Sequence, residues 1–293
     1  MAVNSKPVVG IFDFTCCNGC EMTIVNCEDE LLDLVDALDI RNFRLARGTN
    51  SPALKPGMFR EKGTFDIALV EGTVITEEEI KWAKEIRENS RFVISLGTCS
   101  AVGGLPAMIR DKYMYHDQEA VRKIQHPADN LVIQKRTEPK ALKEIIPIDF
   151  EIRGCPIDKQ EVLNVLKQLL IGKMPEVYAK SVCLECKVKQ NPCIYTDTKE
   201  WLKKSFPGIE ADPKDLIKYE PDLCMGPITQ GGCNALCTSL GRGCQGCRGP
   251  AEDANLKAFI EILKEKGMDK DEIHRIITKF GGFVKKLEEF QWN

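Results

Sequence analysis

Fourteen of the 293 residues are cysteines, at positions 16, 17, 20, 27, 99, 155, 183, 186, 193, 224, 233, 237, 244 and 247. Three C-x-x-C pairs stand out: Cys17/Cys20, Cys183/Cys186 and Cys244/Cys247. Thiolates are soft ligands, and groups of them without histidine select zinc or iron–sulfur centres. His116, His126 and His274 all lie away from the pairs. Zinc ribbons bring two C-x-x-C pairs within about 20 residues, and the 183/186 and 244/247 pairs are too far apart for that. The run C-x₃-C-x₆-C-x₂-C over 233–247 has the compactness of a cluster site. Iron–sulfur binding is favoured over structural zinc, with a merely thiol-rich protein as the third reading. Cys27 falls on the apolar side of a predicted helix and reads as a small buried hydrophobe. Cys16 adjoins Cys17, and neighbouring residues rarely both ligate one cluster, so it is left aside.

Bulk properties agree with a redox or metal protein. A chain of this length buries a sizeable core and does not need disulfides to fold. The net charge of −3 supplies no field for nucleic acid or an anionic membrane. No apolar run approaches the roughly 20 residues that span a bilayer, and the N-terminus carries no export signal. A cytoplasmic chain, whose thiols stay reduced, is expected.

The elements that must position the cysteines change character near residue 175. Over 1–175 short apolar runs alternate with helical patterns. Strands are predicted at Val8–Phe12, Ile40–Arg47, Asp66–Val70, Arg91–Leu96 and Ile148–Ile152. Helices are predicted at Cys20–Leu38, from the Thr76–Glu79 capping box onward, at Glu138–Ile145 and at Lys159–Leu170. Such alternation implies an α/β fold, a parallel sheet covered on both faces. Three of the predicted strands run into cysteine-bearing turns, with Cys17 and Cys20, Cys99, and Cys155. In an open parallel sheet those turns share one edge, where ligands bind. Gly19, Gly97, Gly103, Gly104 and Gly154 flank the sulfurs and allow close backbone approach. Residues 176–293 form the second unit. Its cysteine-rich part has little apolar sequence before Leu256, so metal binding must supply part of its folding energy. Two amphipathic helices follow, one marked by Leu256, Phe259, Ile260 and Leu263. The other is capped by Asp269 and Glu272, and Gly281-Gly282 breaks it. The glycine-rich stretches at 229–232 and 241–243 lack the Lys-Ser/Thr ending of a phosphate loop.

Thr15-Cys16-Cys17-Asn18-Gly19-Cys20-Glu21, Gly97-Thr98-Cys99-Ser100-Ala101-Val102-Gly103-Gly104 and Gly154-Cys155-Pro156 resemble three signature segments of the small subunit of nickel–iron hydrogenases. Cys224-Met225-Gly226-Pro227, Cys233 and Cys244-x-x-Cys247 resemble that family's C-terminal cluster region. The resemblance runs to about residue 250. It implies a flavodoxin-like, doubly wound domain, followed by a small iron–sulfur domain with C-terminal helices. It implies three [4Fe–4S] clusters: a proximal one on Cys17, Cys20, Cys99 and Cys155, a medial one on Cys233, Cys237, Cys244 and Cys247, and a distal one on Cys183, Cys186, Cys193 and Cys224. The family's catalytic subunit has a histidine three residues after a C-x-x-C pair. Here Thr23, Lys189 and Pro250 stand there. The nickel–iron site is therefore expected in a separate large subunit, and no catalytic residue is expected in this chain. The implied role is electron transport from H₂ oxidation.

The departures from the family point to a branch. Many exported relatives have histidine where this chain has Cys183 and proline where it has Cys237, and they begin with a twin-arginine signal. The chain is most similar to the cytoplasmic methyl-viologen-reducing (F420-non-reducing) hydrogenases of methanogens, which implies as partners a small iron–sulfur delta-type subunit and heterodisulfide reductase, or a flavoprotein or ferredoxin acceptor. The archaeal NADP-reducing sulfhydrogenase delta subunit is the near alternative. A complex-I-like cluster subunit also has adjacent cysteines after its first strand, but it ends after one cluster. Where many relatives have glutamate before Cys17, this chain has Cys16, so no proton-transfer role carries over to that position. A zinc scaffold is the remaining rival.

Overall fold

The computed structural model describes residues 6–28, 30, 32, 36–47, 64–112, 136–176, 178–193, 224–265 and 267–290. Five strands form one parallel sheet: β1 (Val8–Asp13), β2 (Asp39–Phe43), β3 (Phe65–Glu71), β5 (Ser90–Leu96) and β7 (Phe150–Ile152). Their order is β2-β1-β3-β5-β7. Ile11 pairs with Leu69 of β3, and Leu69 with Ile94 of β5. The sheet's first strand thus lies between its second and third, which puts the topological switch point between β1 and β3.

Side chains alternate between the two faces of the sheet. Ile11, Leu69, Ile94 and Ile152 pack against Ile24 of helix α1 (Gly19–Val25) and Val162, Leu163 and Leu166 of α5 (Lys159–Leu170). Phe12, Ala68, Val70 and Val93 pack on the other face against Ala83 and Ile86 of α3 (Glu77–Glu88). Burial on both faces explains why these strands read as unbroken apolar runs. The capping box is formed as predicted: the Glu79 N–H donates to Thr76 Oγ1 at 3.1 Å, and the Thr76 N–H donates to Glu79 Oε2 at 2.9 Å.

Three local expectations are corrected. The second strand stops at Phe43, and Arg44–Arg47 forms the short helix α2; Arg44 pairs with Asp13 at the end of β1. The helix starting near Cys20 ends at Val25, where Asn26 is its C-cap; Leu31, Leu34 and Val35 lie outside the described residues. The predicted helix over Glu138–Ile145 is instead strand β6 (Arg136–Lys140) followed by a 3₁₀ turn at Leu142–Glu144. β6 pairs antiparallel with β4 (Val74–Thr76), so a tertiary partner overrides the local pattern. A second 3₁₀ turn spans Leu105–Arg110.

Beyond the sheet come α4 (Gly97–Val102), α6 (Val182–Val188) and α7 (Leu236–Ser239), then α8 (Leu256–Glu265), α9 (Lys270–Ile277) and α10 (Val284–Glu288). The last three build a core of their own from Phe259, Ile260, Leu263, Ile273, Ile277 and Phe283, onto which Met225 and Ile228 pack. The apolar cluster of the cysteine-rich part is small: Val182, Ala235, Cys224 and Cys244, with Cys186 and Cys233 against it. No helix among the described residues is long and apolar enough to cross a membrane.

Candidate metal centre

The turns after β1, β5 and β7 bring Cys17, Cys20, Cys99 and Cys155 to the carboxyl edge of the sheet. Cys20 is held from β3: Glu71 Oε1 accepts its N–H at 3.3 Å, and Glu71 Oε2 accepts the N–H of Glu21 at 2.9 Å. Cys99 lies in the first turn of α4, and Thr98 N–H donates to the carbonyl of Gly154 at 2.9 Å, tying the β5 and β7 turns together. The Cys155–Pro156 peptide is cis. Two glycines are demanded by the sulfurs. Gly97 has φ 82°, and a methyl group there would overlap Cys20 Sγ; at Gly104, with φ 58°, it would stand 2.5 Å from Cys99 Sγ.

Cys20 is buried, Cys99 and Cys155 are half-buried and Cys17 is exposed; among the described residues no three His, Cys, Asp or Glu side chains converge closely enough to hold a single metal ion. Burial, then the Cys155 thiolate, push Cys99 up to about 11 against an N–H from Leu105, with Cys17 adding to the rise. Cys20 is pushed well above its ordinary value by burial, then Glu71, with Cys99 and Cys155 adding to it. Burial raises Cys155, and Cys17 raises it further. Such thiols ionise together only beside a cation, and a coordinating metal deprotonates its thiols outright. Soft donors at one sheet edge, with glycines clearing space beside them, fit an iron–sulfur cluster.

Two more groups form after residue 180. Cys183 is pushed up to about 11 by burial, then by Cys224, Cys186 and Cys193. A methyl group at Gly226 would lie 3.2 Å from Cys224 Sγ and 3.6 Å from Cys183 Sγ, so these two sulfurs converge on one glycine. Thr238 Oγ1 lies 2.8 Å from Cys186 Sγ. Cys247 is pushed up to about 11 by burial against an N–H from Cys155, and Cys233 and Cys237 raise it further. Cys244 is raised well above its ordinary value by burial, with smaller contributions from Cys224 and Cys247.

The three groups touch. The Thr98 hydroxyl donates to the Cys247 carbonyl, and the Gly154 N–H donates to Thr98 Oγ1 at 3.1 Å. On the far side the Cys244 N–H donates to Cys224 Sγ at 3.4 Å. Cys27 stands apart, fully buried in the sheet's core and donating to the Thr23 carbonyl at 3.5 Å. Cys16 is raised to about 12 by burial, then Glu71. His274 is buried and bonds Asp111 at 3.1 Å, while His116 and His126 lie outside the described residues.

Several charged groups beside the cysteines escaped sequence reasoning. Glu21 is fully buried and raised to about 7 by burial, then Asp13. Glu185, inside the Cys183/Cys186 pair, accepts N–H bonds from Gly232, Asn234 and Ala235 at 2.8, 3.2 and 3.1 Å, and so anchors the Cys233 loop. Arg248 pairs with Glu161 at 2.7 Å. Only the position of Arg248 and Glu185 next to cysteines could have signalled them, since their partners are far away in sequence.

The family profile described as NADH ubiquinone oxidoreductase, 20 Kd subunit, matches residues 17–169. Sulfhydrogenase 2 subunit delta of Pyrococcus furiosus is 35% identical over 270 residues, covering 92% of this chain and 98% of the relative. A subunit of the F420-non-reducing hydrogenase of Methanothermobacter marburgensis is 30% identical over 268 residues, covering 87% of this chain and 83% of the relative. Among solved structures, the Ni-Fe-Se hydrogenase of Desulfomicrobium baculatum matches in fold with TM-score 0.50 at 19% identity, over 85% of this chain and 96% of that one.

Proposed function

Because the chain belongs to the small-subunit family of the nickel–iron hydrogenases, as an electron-transfer subunit of an H₂-acting oxidoreductase, we propose that it conducts electrons through three [4Fe–4S] clusters. The proximal cluster would be held by Cys17, Cys20, Cys99 and Cys155, on a domain that is flavodoxin-like in its strand order. The medial one would be held by Cys233, Cys237, Cys244 and Cys247, and the distal one by Cys183, Cys186, Cys193 and Cys224. The observation that carries this reading is the continuity of the three thiol groups. The first meets the second where the Thr98 hydroxyl donates to the Cys247 carbonyl, and the second meets the third at the Cys244 N–H to Cys224 Sγ bond.

Clusters bound there would supply one-electron transfer. The chain's own part is to bury the sulfurs, aim N–H groups at them and fix the spacing of the groups. The family implies a partner large subunit, and the proximal group is the proposed docking end for it. About twelve irons per anaerobically purified chain are expected from three four-iron clusters. Clearly fewer than about eight, or stoichiometric zinc, would rule the three-cluster reading out.

The acceptor divides two readings. The sequence departures favour an F420-non-reducing type that passes electrons towards a heterodisulfide-reductase-type protein. The 35% identity and nearly full coverage favour a sulfhydrogenase delta type. Anaerobic co-purification decides between them: the large subunit should appear in either case, and the second partner names the acceptor.

A further inference from the structure

Arg248 follows Cys247 directly and is 2% exposed, the largest fully buried side chain among the described residues. Its Nη1 and Nη2 lie 2.7 and 2.8 Å from the two oxygens of Glu161 on α5. Nη1 also donates to the Arg153 carbonyl. The third donor is idle: the buried Nε–H has no acceptor. The guanidinium rests against the residue before Cys233, where a methyl group on Gly232 would come within 2.5 Å of Nη2. The cation is thus flanked in the chain by Cys247 and in space by the Cys233 loop. Its charge opposes ionisation-suppressing burial at both sulfurs, whereas the Glu185 carboxylate acts on Cys233 in the opposite sense.

A latch between α5 and this loop does not require charge. Buried ion pairs are costly to desolvate, and apolar side chains of similar volume often replace them without loss of stability. What apolar residues cannot provide is a positive charge beside the cysteines. Reducing a thiolate-ligated cluster adds negative charge, so a nearby cation or an extra N–H donor favours the reduced form and raises the potential.

We propose that Arg248 is the positioning residue that sets the potential of the medial cluster, its charge raising that potential while Glu161 acts as the counter-ion that limits the rise. The proposal rests on the assignment of Cys233, Cys237, Cys244 and Cys247 as one cluster's ligands.

The test is an EPR-monitored redox titration of the anaerobically purified complex. It compares the native protein with Glu161→Gln and with the double variant Arg248→Met, Glu161→Met, which removes both charges and keeps apolar bulk. In Glu161→Gln one midpoint should rise, because the cation loses its counter-ion. In the double variant the same midpoint should fall. Each shift should be roughly tenfold in the reduced-to-oxidised ratio at fixed potential, about 59 mV for a one-electron couple. Midpoints that stay put in both variants, or move the same way in both, overturn the proposal. Loss of one cluster's iron in both variants also overturns it, since Arg248 would then be only a structural latch. A native protein with too little iron for three clusters is a separate failure, of the ligand assignment, and removes the proposal's basis.

Discussion

At the scale of single residues, what distinguishes the fourteen thiols is the company each keeps. Cys27 sits among aliphatic side chains, whereas Cys99 and Cys155 help keep Cys20 protonated, and Cys155 and Cys17 do the same to Cys99. Cys16 lies beside Glu71 and Asp13 rather than in that group. Cys16→Ser should therefore leave the iron content unchanged, while Cys17→Ser should lose one cluster; iron and visible absorbance per chain measure both. Loss of iron from Cys16→Ser would favour the complex-I-like arrangement, in which both adjacent cysteines serve. The glycines are as demanding as the ligands. Gly97 occupies a left-handed conformation with Cys20 Sγ against it, so Gly97→Ala should cost about 1–2 kcal/mol in backbone strain alone. It should also displace the sulfur, and thermal unfolding with an iron assay reads both effects.

At the scale of elements, the legible features were those written locally. The two capping boxes, Thr76 with Glu79 and Asp269 with Glu272, start α3 and α9 as expected. Thr76→Ala should lower stability by about 1 kcal/mol, as measured by denaturant unfolding. The buried strands were legible because burial on both faces makes an apolar run. β6 was not: Arg136–Lys140 contains Pro139 and no apolar alternation, and it is a strand only because β4 offers an edge. Helix α6 escaped too, because Cys183, Glu185 and Cys186 read as ligand sequence rather than as a helical face. The charge pairs that join elements are equally invisible locally, since Arg248 and Glu161 lie 87 positions apart.

One such junction predicts a pH response. Glu144 meets Arg110 at 3.1 Å and Lys285 of α10 at 2.8 Å. Burial works to raise its pKa, but the hydrogen bonds from Lys285 and Arg110 outweigh that and hold it below the usual carboxylate range. A lowered folded-state pKa means that the contribution is complete above the unfolded value and fades as pH falls through the folded one. The stability gap between the native protein and Glu144→Gln should therefore narrow as pH drops below the ordinary glutamate range, which denaturant unfolding across an acid series measures.

At the scale of the whole molecule, the two ends of the chain should depend on metal less than the segment between them. The sheet has aliphatic cores on both faces, and α8 to α10 have another. The apolar cluster between them is built largely of cysteine. Chelating the iron under reducing conditions should therefore open the segment around residues 183–247 to protease first, with the sheet surviving as a resistant fragment. Uniform resistance along the chain would show that the thiol groups hold their shape without metal.

The hydrogen bond from Thr98 to Cys247 closes a loop of 149 positions, and this imposes a schedule on synthesis. Everything that shapes the first sulfur group is present once α5 has left the ribosome. The partner that covers it, Cys247, is not made until 77 residues after Leu170, the end of that helix. Non-local closures of this kind are slow, and domains generally fold from the N-terminal side as they emerge. The nascent sheet thus spends that interval with its sulfur edge uncovered by the later segment. The second group can seat itself only against an edge already finished.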